Sequence, residues 1–134
     1  MRNLLERLEK GVLVADGAMG TALYGNGLES CHEYNNISNP DSVEKIHRAY
    51  IEAGADIIQT NTYAAKKCQL KTYGYEDKFE EINIRAAEIA RKAAGQDTIV
   101  FGTIGAIRGL RECELTLETI VNETLDQVKV LLST

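Results

Sequence analysis

Three short segments rich in glycine and polar residues carry the side chains that could do chemistry. They are DGAMG at residues 16–20, TNTY at residues 60–63 and GTIG at residues 102–105, and each follows an apolar run. Glycine lets a backbone come close to a ligand, and successive exposed N–H groups can hold a carboxylate or another anion. These segments therefore favour a small-molecule site built from backbone amides, one carboxylate and hydroxyl groups.

Each segment also has a simpler structural explanation. Asp16-Gly17 after a strand is often only a turn, and β-branched residues such as Thr60 and Thr62 are common in strands. The agreement of three segments is a stronger signal than any one of them. No nucleophile–base pair can be assigned, so the catalytic residues are unknown from the sequence.

The remaining reactive residues do not form a recognisable motif. The three cysteines, Cys31, Cys68 and Cys113, are widely spaced and include no CxxC pair, so neither a disulfide framework nor a zinc site is predicted. The glycines match no phosphate-binding loop. His47 lies on the apolar face of a predicted helix, where we expect it to be packed and hydrogen-bonded rather than catalytic.

The elements that must position these segments alternate along the chain. Apolar runs at residues 12–15, 56–60 and 98–102 predict three strands, the first of them buried on both faces. Helical spacing or helix-ending signals predict five helices, at about residues 2–9, 39–53, 64–74, 76–94 and from 116 onward. Residues 17–38 are expected to form a long connection. The alternation predicts an α/β fold with a parallel sheet, in which ligands bind at the carboxyl ends of the strands.

The helix predicted from residue 116 should turn one apolar face inward. The residues of that face are Leu117, Ile120, Val121, Leu125, Val128 and Leu132.

Composition narrows the class of protein. The chain has 134 residues, 44% hydrophobic and 26% charged, with a net charge of −5, which is typical of one globular domain. Its basic residues are mixed with acidic ones, so no nucleic-acid partner is predicted. There is no apolar run of the ~20 residues that cross a bilayer and no signal-peptide pattern. We therefore expect no membrane partner, and the irregular cysteine spacing favours a cytoplasmic protein.

Three longer strings carry a family resemblance: VADGAMGTALYGNG at residues 14–27, IHRAYIEAGADIIQTNTYAA at residues 46–65 and INIRAAEIARKAA at residues 82–94. Together they resemble the homocysteine S-methyltransferase family. They are similar to the methyltransferase module of bacterial proteins that also carry a methylenetetrahydrofolate reductase domain, and to the first module of cobalamin-dependent methionine synthase.

The resemblance implies a (β/α)8 barrel, also called a TIM barrel, that transfers a methyl group to homocysteine and forms methionine. Zinc at the carboxyl-terminal face would hold the homocysteine thiol as a thiolate, because metal coordination removes a proton that a free thiol keeps up to about pH 8.5. The implied substrate-binding residues are Asp16, Gly17, Ala18, Met19, Thr60 and Thr62. The backbone of residues 17–19 would hold the amino-acid part of homocysteine, and Asp16 would position the turn or contact the amino group.

The chain also departs from the family pattern. Family members bind zinc through a cysteine after the sixth strand and a pair in a GGCCG string, and neither is present. No cysteine here lies in a matching context, so no metal ligand is assigned. A closed barrel takes about 250 residues and eight strands, so residues 1–134 are expected to be the N-terminal portion of a barrel that is truncated in this chain. We expect the isolated chain to be inactive and to self-associate through its open sheet.

Several questions stay open at this point. The methyl donor could be methyltetrahydrofolate, S-adenosylmethionine, S-methylmethionine or betaine, and a C-terminal methylenetetrahydrofolate reductase domain in the parent protein is one option. One alternative is another α/β-barrel enzyme that uses Asp16 as its carboxylate. It would need a second carboxylate or histidine at a strand end, which Thr60, Asn61 and Thr103 do not supply. The other alternative is a non-catalytic, self-associating fragment.

Overall fold

The computed structural model describes residues 4–24, 31–107 and 116–134, which form a mixed helix and strand fold with parallel strands. The α-helices of these residues are α1 (Leu4–Lys10), α2 (Met19–Tyr24), α3 (Asn35–Ser38), α4 (Pro40–Glu52), α5 (Lys67–Lys71), α6 (Phe79–Ala94) and α7 (Leu117–Leu132). The strands are β1 (Ile57–Gln59) and β2 (Ile99–Phe101), and 3₁₀ turns cover His32–Tyr34 and Glu76–Lys78. Among the described residues, no helix combines the length and the apolar character needed to span a membrane.

The sheet is parallel, as the alternation predicts. β1 pairs with β2 in the register Ile57 to Ile99, and Ala15 adds an isolated parallel bridge to Ile57 on the other side of β1. The three predicted strands therefore lie side by side, with the second in the middle. This order brings their carboxyl ends to one edge of the sheet.

The first predicted strand is much shorter than expected, and the prediction that it is buried on both faces is wrong. Only Ala15 is bridged, while Val12 is 91% exposed and Val14 is 56% exposed. In the described part of the chain, this segment pairs on the β1 side alone. There the Val14 N–H donates to the Asp56 carboxylate at 3.0 Å. A side-chain oxygen therefore takes the place of a backbone carbonyl as the hydrogen-bond acceptor.

Helix α6 supplies the centre of the hydrophobic core, as its periodicity predicts. It contributes residues to each of three buried clusters, one of which also contains Ile58 of β1. The whole predicted apolar line of this helix is buried: Phe79, Ile82, Ala86, Ile89, Ala90 and Ala93. Its alanines bring the helix close to the sheet.

Proline and glycine correctly mark the start of α4 and the ends of α4 and α6, whereas α5 is shorter than the helix predicted over residues 64–74. Pro40 opens α4, and glycines with positive φ follow helices at Gly54 (φ +103°), Gly74 (φ +74°) and Gly95 (φ +54°). Glycine takes this conformation at low cost. Asn39 stands at the N-cap of α4 without a side-chain capping bond, and its amide nitrogen donates to Ser38 Oγ at 3.1 Å.

Two further predictions about elements are wrong. The segment of residues 17–38 contains α2, α3 and a 3₁₀ turn in its described part, rather than one long connection. The α7 face predicted to point inward is largely exposed, with Leu117 at 78% and Leu132 at 80%. A polar residue orients this helix instead, since Gln127 is its buried residue.

Candidate active site

A cavity of about 320 Å³ lies at the carboxyl ends of the strands. All three polar segments line it, and it is bordered by Asp16, Gly17, Ala18, Met19, Gly20, His32, Glu33, Gln59, Thr60, Asn61, Thr62, Tyr63 and Thr103. The structure therefore brings all six predicted substrate-binding residues around one space. It adds His32 and Glu33, which the sequence reading did not select.

Asp16 is held by β1. Its Oδ2 accepts the backbone N–H of Gln59 at 2.9 Å, and its Oδ1 accepts the Gln59 side-chain amide at 3.2 Å. Its own N–H donates to Ile57 O at 2.9 Å. These bonds fix the point at which the chain leaves the sheet and turns into residues 17–19.

Tyr50 of α4 supports that turn from behind. The Tyr50 hydroxyl donates to Ala18 O at 3.2 Å. A Cβ at Gly17 would lie 2.9 Å from that tyrosine hydroxyl oxygen. Glycine at position 17 therefore lets the turn and the tyrosine approach each other. The N–H groups of Gly17, Ala18 and Met19 have no hydrogen-bond acceptor among the described residues, so they are available to a ligand.

Thr60 and Thr62 close a hydrogen-bonded ring with Thr103. The Thr103 N–H donates to Thr60 Oγ1 at 2.9 Å, and Thr62 Oγ1 donates to Thr103 O at 2.7 Å. The two hydroxyl oxygens are 2.7 Å apart. Because the Thr62 proton goes to the carbonyl, the Thr60 proton must go to Thr62. Both hydroxyls therefore tie the ends of β1 and β2 together while their side chains border the cavity.

Glu33 brings a second carboxylate to the cavity. It is only 7% exposed. Its Oε1 accepts the Ala64 N–H at 2.8 Å, and its Oε2 is 3.9 Å from the Cys31 thiol. Nothing local marks this residue, because it stands in a polar segment without clear periodicity and its partner is 31 residues away.

His32 forms part of the cavity wall beside Glu33. Its ring packs against Gly20, where an added Cβ would lie 3.1 Å from Cδ2. It also meets the ring of Tyr24 edge-on, with centroids 6.4 Å apart. Its Nδ1 is buried without a hydrogen-bond partner in the described part of the chain.

Buried amide side chains hold the loop after β1, and two of them, Asn36 and Gln127, were not selected from the sequence. Asn36 Nδ2 donates to Asn61 O at 2.9 Å, Asn61 Nδ2 donates to His32 O at 2.8 Å, and Gln127 Nε2 donates to Thr62 O at 2.8 Å. The loop backbone is thus fixed from three elements. In the sequence these residues are recognisable only as amide side chains, because their burial becomes visible only in the folded chain.

The cavity is electrostatically negative. Among the residues that the structure describes, its lining includes the carboxylates of Asp16 and Glu33 and no lysine or arginine. Neither carboxylate is ion-paired with a described residue. Fully buried Lys66 lies elsewhere and donates to Gly105 O, and burial lowers its pKa. The cavity would attract a cationic group.

His47 is completely buried, as its helical position predicts. The expected hydrogen bonds are absent, since neither ring nitrogen has a partner among the described residues. Burial lowers the pKa of the imidazole, and the charges of Asp16 and Glu44 oppose that effect. We assign it a packing role.

The described residues do not fit a zinc site. They contain no group of three histidine, cysteine or acidic side chains that could hold a metal ion. Cys31 and Cys68 are both buried, and Cys113 lies outside the described residues.

Comparison with known proteins identifies the family. The model of the homocysteine S-methyltransferase family matches residues 13–134, so the chain belongs to that family. The expected resemblance is confirmed.

Two curated relatives are methionine synthases. The protein of Mycobacterium leprae (strain TN) is 42% identical over 104 residues, which is 72% of this chain and 9% of the relative. The protein of Mycobacterium tuberculosis (strain ATCC 25618 / H37Rv) is 39% identical over 102 residues, which is 70% of this chain and 9% of that relative. This chain therefore spans a small part of these relatives.

A solved structure shows the same fold. The metallated form of the homocysteine methyltransferase MmuM from Escherichia coli superimposes with a TM-score of 0.79 at 24% identity, over 97% of this chain and 53% of that one. The oxidized form of the same protein gives a TM-score of 0.76 over 98% of this chain and 52% of that one. The described fold corresponds to about half of that protein.

Proposed function

We propose that this chain is the homocysteine-binding part of a methyltransferase that methylates homocysteine to methionine. Family membership supports the reaction class. The cavity supports the substrate, because it offers two carboxylates and three backbone N–H groups that have no acceptor among the described residues. That combination complements an amino acid, whose ammonium and carboxylate carry opposite charges.

The proposed roles follow from the hydrogen bonds. The N–H groups of residues 17–19 bind the substrate carboxylate, and Asp16 holds them in place through its bonds to Gln59. Thr60 and Thr62 form the wall and keep the strand ends together. In the reaction, the homocysteine sulfur supplies the electron pair of the new S–CH3 bond and the thiol proton leaves. The donor keeps the electron pair of the bond that breaks.

We also propose that the parallel sheet is the beginning of a (β/α)8 barrel, with residues 1–134 as its N-terminal portion. The half-length structural match supports this arrangement. Exposed apolar side chains beside the strands, among them Val14 and Phe101, support self-association.

Zinc, the methyl donor, a following reductase domain and a cytoplasmic location stay predictions. The family implies zinc, but the described residues lack a fitting donor set, so their proposed part is to bind the amino-acid end of the substrate. Metal analysis of the purified chain should find well under one equivalent of zinc. Stoichiometric zinc would contradict our interpretation of the cysteines.

A titration of the ¹⁵N-labelled chain with L-homocysteine tests the proposed function. We expect saturable shifts of the amide resonances of residues 17–19, and weaker binding of D-homocysteine. The analogue 3-sulfanylpropylamine, which lacks the carboxylate, should leave those three amides unmoved. An absence of saturable binding, or shifts confined to another surface, would refute the proposal.

A further inference from the structure

We infer that Tyr50 is a positioning residue for substrate binding: its hydroxyl fixes the turn at residues 17–19 so that the backbone N–H groups of the turn can bind the substrate carboxylate. This inference rests on the proposed function and adds a residue that the sequence analysis did not select. Tyr50 acts from outside the cavity, since none of the described lining residues belongs to α4.

The turn is held at two points. Where it begins, Asp16 binds Gln59 of β1 through both carboxylate oxygens, at 2.9 and 3.2 Å. One peptide further on, Ala18 O accepts the Tyr50 hydroxyl at 3.2 Å. The first contact ties the turn to the sheet, and the second ties it to α4. The two ties together fix where the turn lies relative to the rest of the fold.

Helix α2, which begins at the end of the turn, does not replace the second tie. It has six residues, Met19–Tyr24, and its internal hydrogen bonds orient its own peptide groups but do not attach them to another element. Thr21 Oγ1 also donates to Ala18 O, at 3.3 Å, but Thr21 belongs to α2 itself. Tyr50 therefore contributes what the helix lacks, which is a hydrogen bond from a different helix.

The bond to Ala18 also sets the direction of the next N–H group. Ala18 C=O and Met19 N–H belong to one peptide group, and in a planar trans peptide such as this one they point in opposite directions. Because the carbonyl is directed at Tyr50, the Met19 N–H points away from α4. It has no acceptor among the described residues, so the tyrosine selects the side on which the turn can bind an anion.

Packing strengthens the same contact. A Cβ at Gly17 would lie 2.9 Å from the Tyr50 hydroxyl oxygen and 3.1 Å from Cε1, so the turn rests directly on the tyrosine ring. A binding group that is ordered before the ligand arrives gives higher affinity than one that must be ordered during binding. Loss of the hydroxyl should therefore lower the affinity for the part of the ligand that the turn binds.

The test compares Tyr50→Phe with wild type in calorimetric titrations with two ligands. L-homocysteine carries the carboxylate, and 3-sulfanylpropylamine is the same molecule without it. Tyr50→Phe should weaken L-homocysteine by about 3- to 10-fold, the range of one neutral hydrogen bond, and leave 3-sulfanylpropylamine nearly unchanged. Phenylalanine keeps the ring that packs on Gly17, and Ala18 O keeps the bond from Thr21. A purely structural role would weaken both ligands alike.

Tyr73→Phe is the matched control. Tyr73 is 51% exposed and is not among the described residues that line the cavity, so both affinities should stay at the wild-type level. Unchanged L-homocysteine affinity in Tyr50→Phe, or equal weakening of the two ligands, would overturn the inference and leave the proposed function standing. Wild type that fails to bind L-homocysteine at all would refute the proposed function itself.

A second measurement does not depend on the variants. A carboxylate bound to the Met19 N–H should polarise the Ala18 carbonyl and strengthen its bond from the tyrosine, because hydrogen bonds in a chain reinforce one another. In wild type labelled with ¹³C at tyrosine Cζ, the Tyr50 resonance should therefore move when L-homocysteine is added and stay in place with 3-sulfanylpropylamine. A Tyr50 resonance that ignores bound L-homocysteine would contradict the inference even if Tyr50→Phe did not fold.

Discussion

At the scale of single residues, the polar groups that stand out in the sequence are largely engaged with one another. Thr60 and Thr62 join two strands, and Asp16 binds Gln59. Glu33, which does not stand out, lines the same cavity and accepts the Ala64 N–H. A residue's type therefore indicates what it can bind, while its neighbours determine whether that capacity is still available.

Gly105 is predicted to be intolerant of any side chain. A Cβ there would overlap the Tyr63 carbonyl oxygen and lie 2.8 Å from two carbons of its ring. Because the Tyr63 carbonyl oxygen belongs to the backbone, it cannot move aside as a flexible side chain could. Gly105→Ala should therefore destabilise the fold by about 1–3 kcal/mol. Urea unfolding followed by circular dichroism measures the loss. Gly11→Ala is the control, because a Cβ at that position meets nothing within 4 Å, and equal stability of the two variants would contradict the prediction.

His47 should make stability depend on pH. Burial lowers its pKa in the folded state, so as pH falls below about 6.5 the unfolded chain binds a proton that the folded chain resists. The stability contribution of neutral His47 is complete above that pH and is lost progressively below it. Unfolding free energies at pH 8.0 and 5.5 should differ less in His47→Leu than in wild type.

An unchanged difference in His47→Leu would assign this pH dependence to other groups. The contribution of Glu44 to the pH dependence can be separated from that of His47, because hydrogen bonds from Lys92 and Arg48 lower the pKa of Glu44. Its contribution is therefore lost only at more acidic pH than that of His47.

At the scale of elements, α7 depends on one polar anchor. Gln127 is its buried residue and donates to Thr62 O at 2.8 Å and to Asn83 Oδ1 at 3.1 Å. Gln127→Ala would leave both acceptors buried without this donor, at a cost of about 1–3 kcal/mol. Hydrogen exchange should accelerate over residues 117–132 before it changes in α6.

The control for that experiment is Asn122→Ala, an exposed position on the same helix. It should leave exchange in α7 nearly unchanged, since it removes no buried contact. Equal acceleration in the two variants would show that Gln127 does not anchor the helix.

At the scale of the whole molecule, exposed apolar side chains should drive association. Phe101 is 40% exposed, Leu125 48% and Val14 56%, and extended apolar surface of this kind favours contact between molecules. Sedimentation velocity should show a mean mass that rises with concentration. Leu125→Lys should lower it, whereas Asn122→Lys, which adds the same charge at an exposed polar position, should not. A monomer at all concentrations would contradict the proposal.

Much of the architecture could be predicted from local patterns. The periodicity of α6 and the glycines that follow α4 and α6 correctly placed these two helices and their ends. The orientation of α7 and the shortness of the first strand could not be predicted, because both depend on what lies beside those segments. An apolar residue is buried only if another element covers it, and in the described residues Leu117 and Val12 have little cover.

The sequence by itself determined the family, the parallel α/β order and the three segments that border the cavity, because periodicity, helix-ending residues and motif strings are properties of neighbouring residues. Only the tertiary structure decided which polar groups stay available to a ligand. The deciding bonds join residues far apart in the chain, such as Glu33 to Ala64, 31 residues apart, and Thr103 to Thr60, 43 residues apart. A hydrogen-bond acceptor that already holds a donor has less capacity left for a substrate, and its donor is known only once the chain has folded.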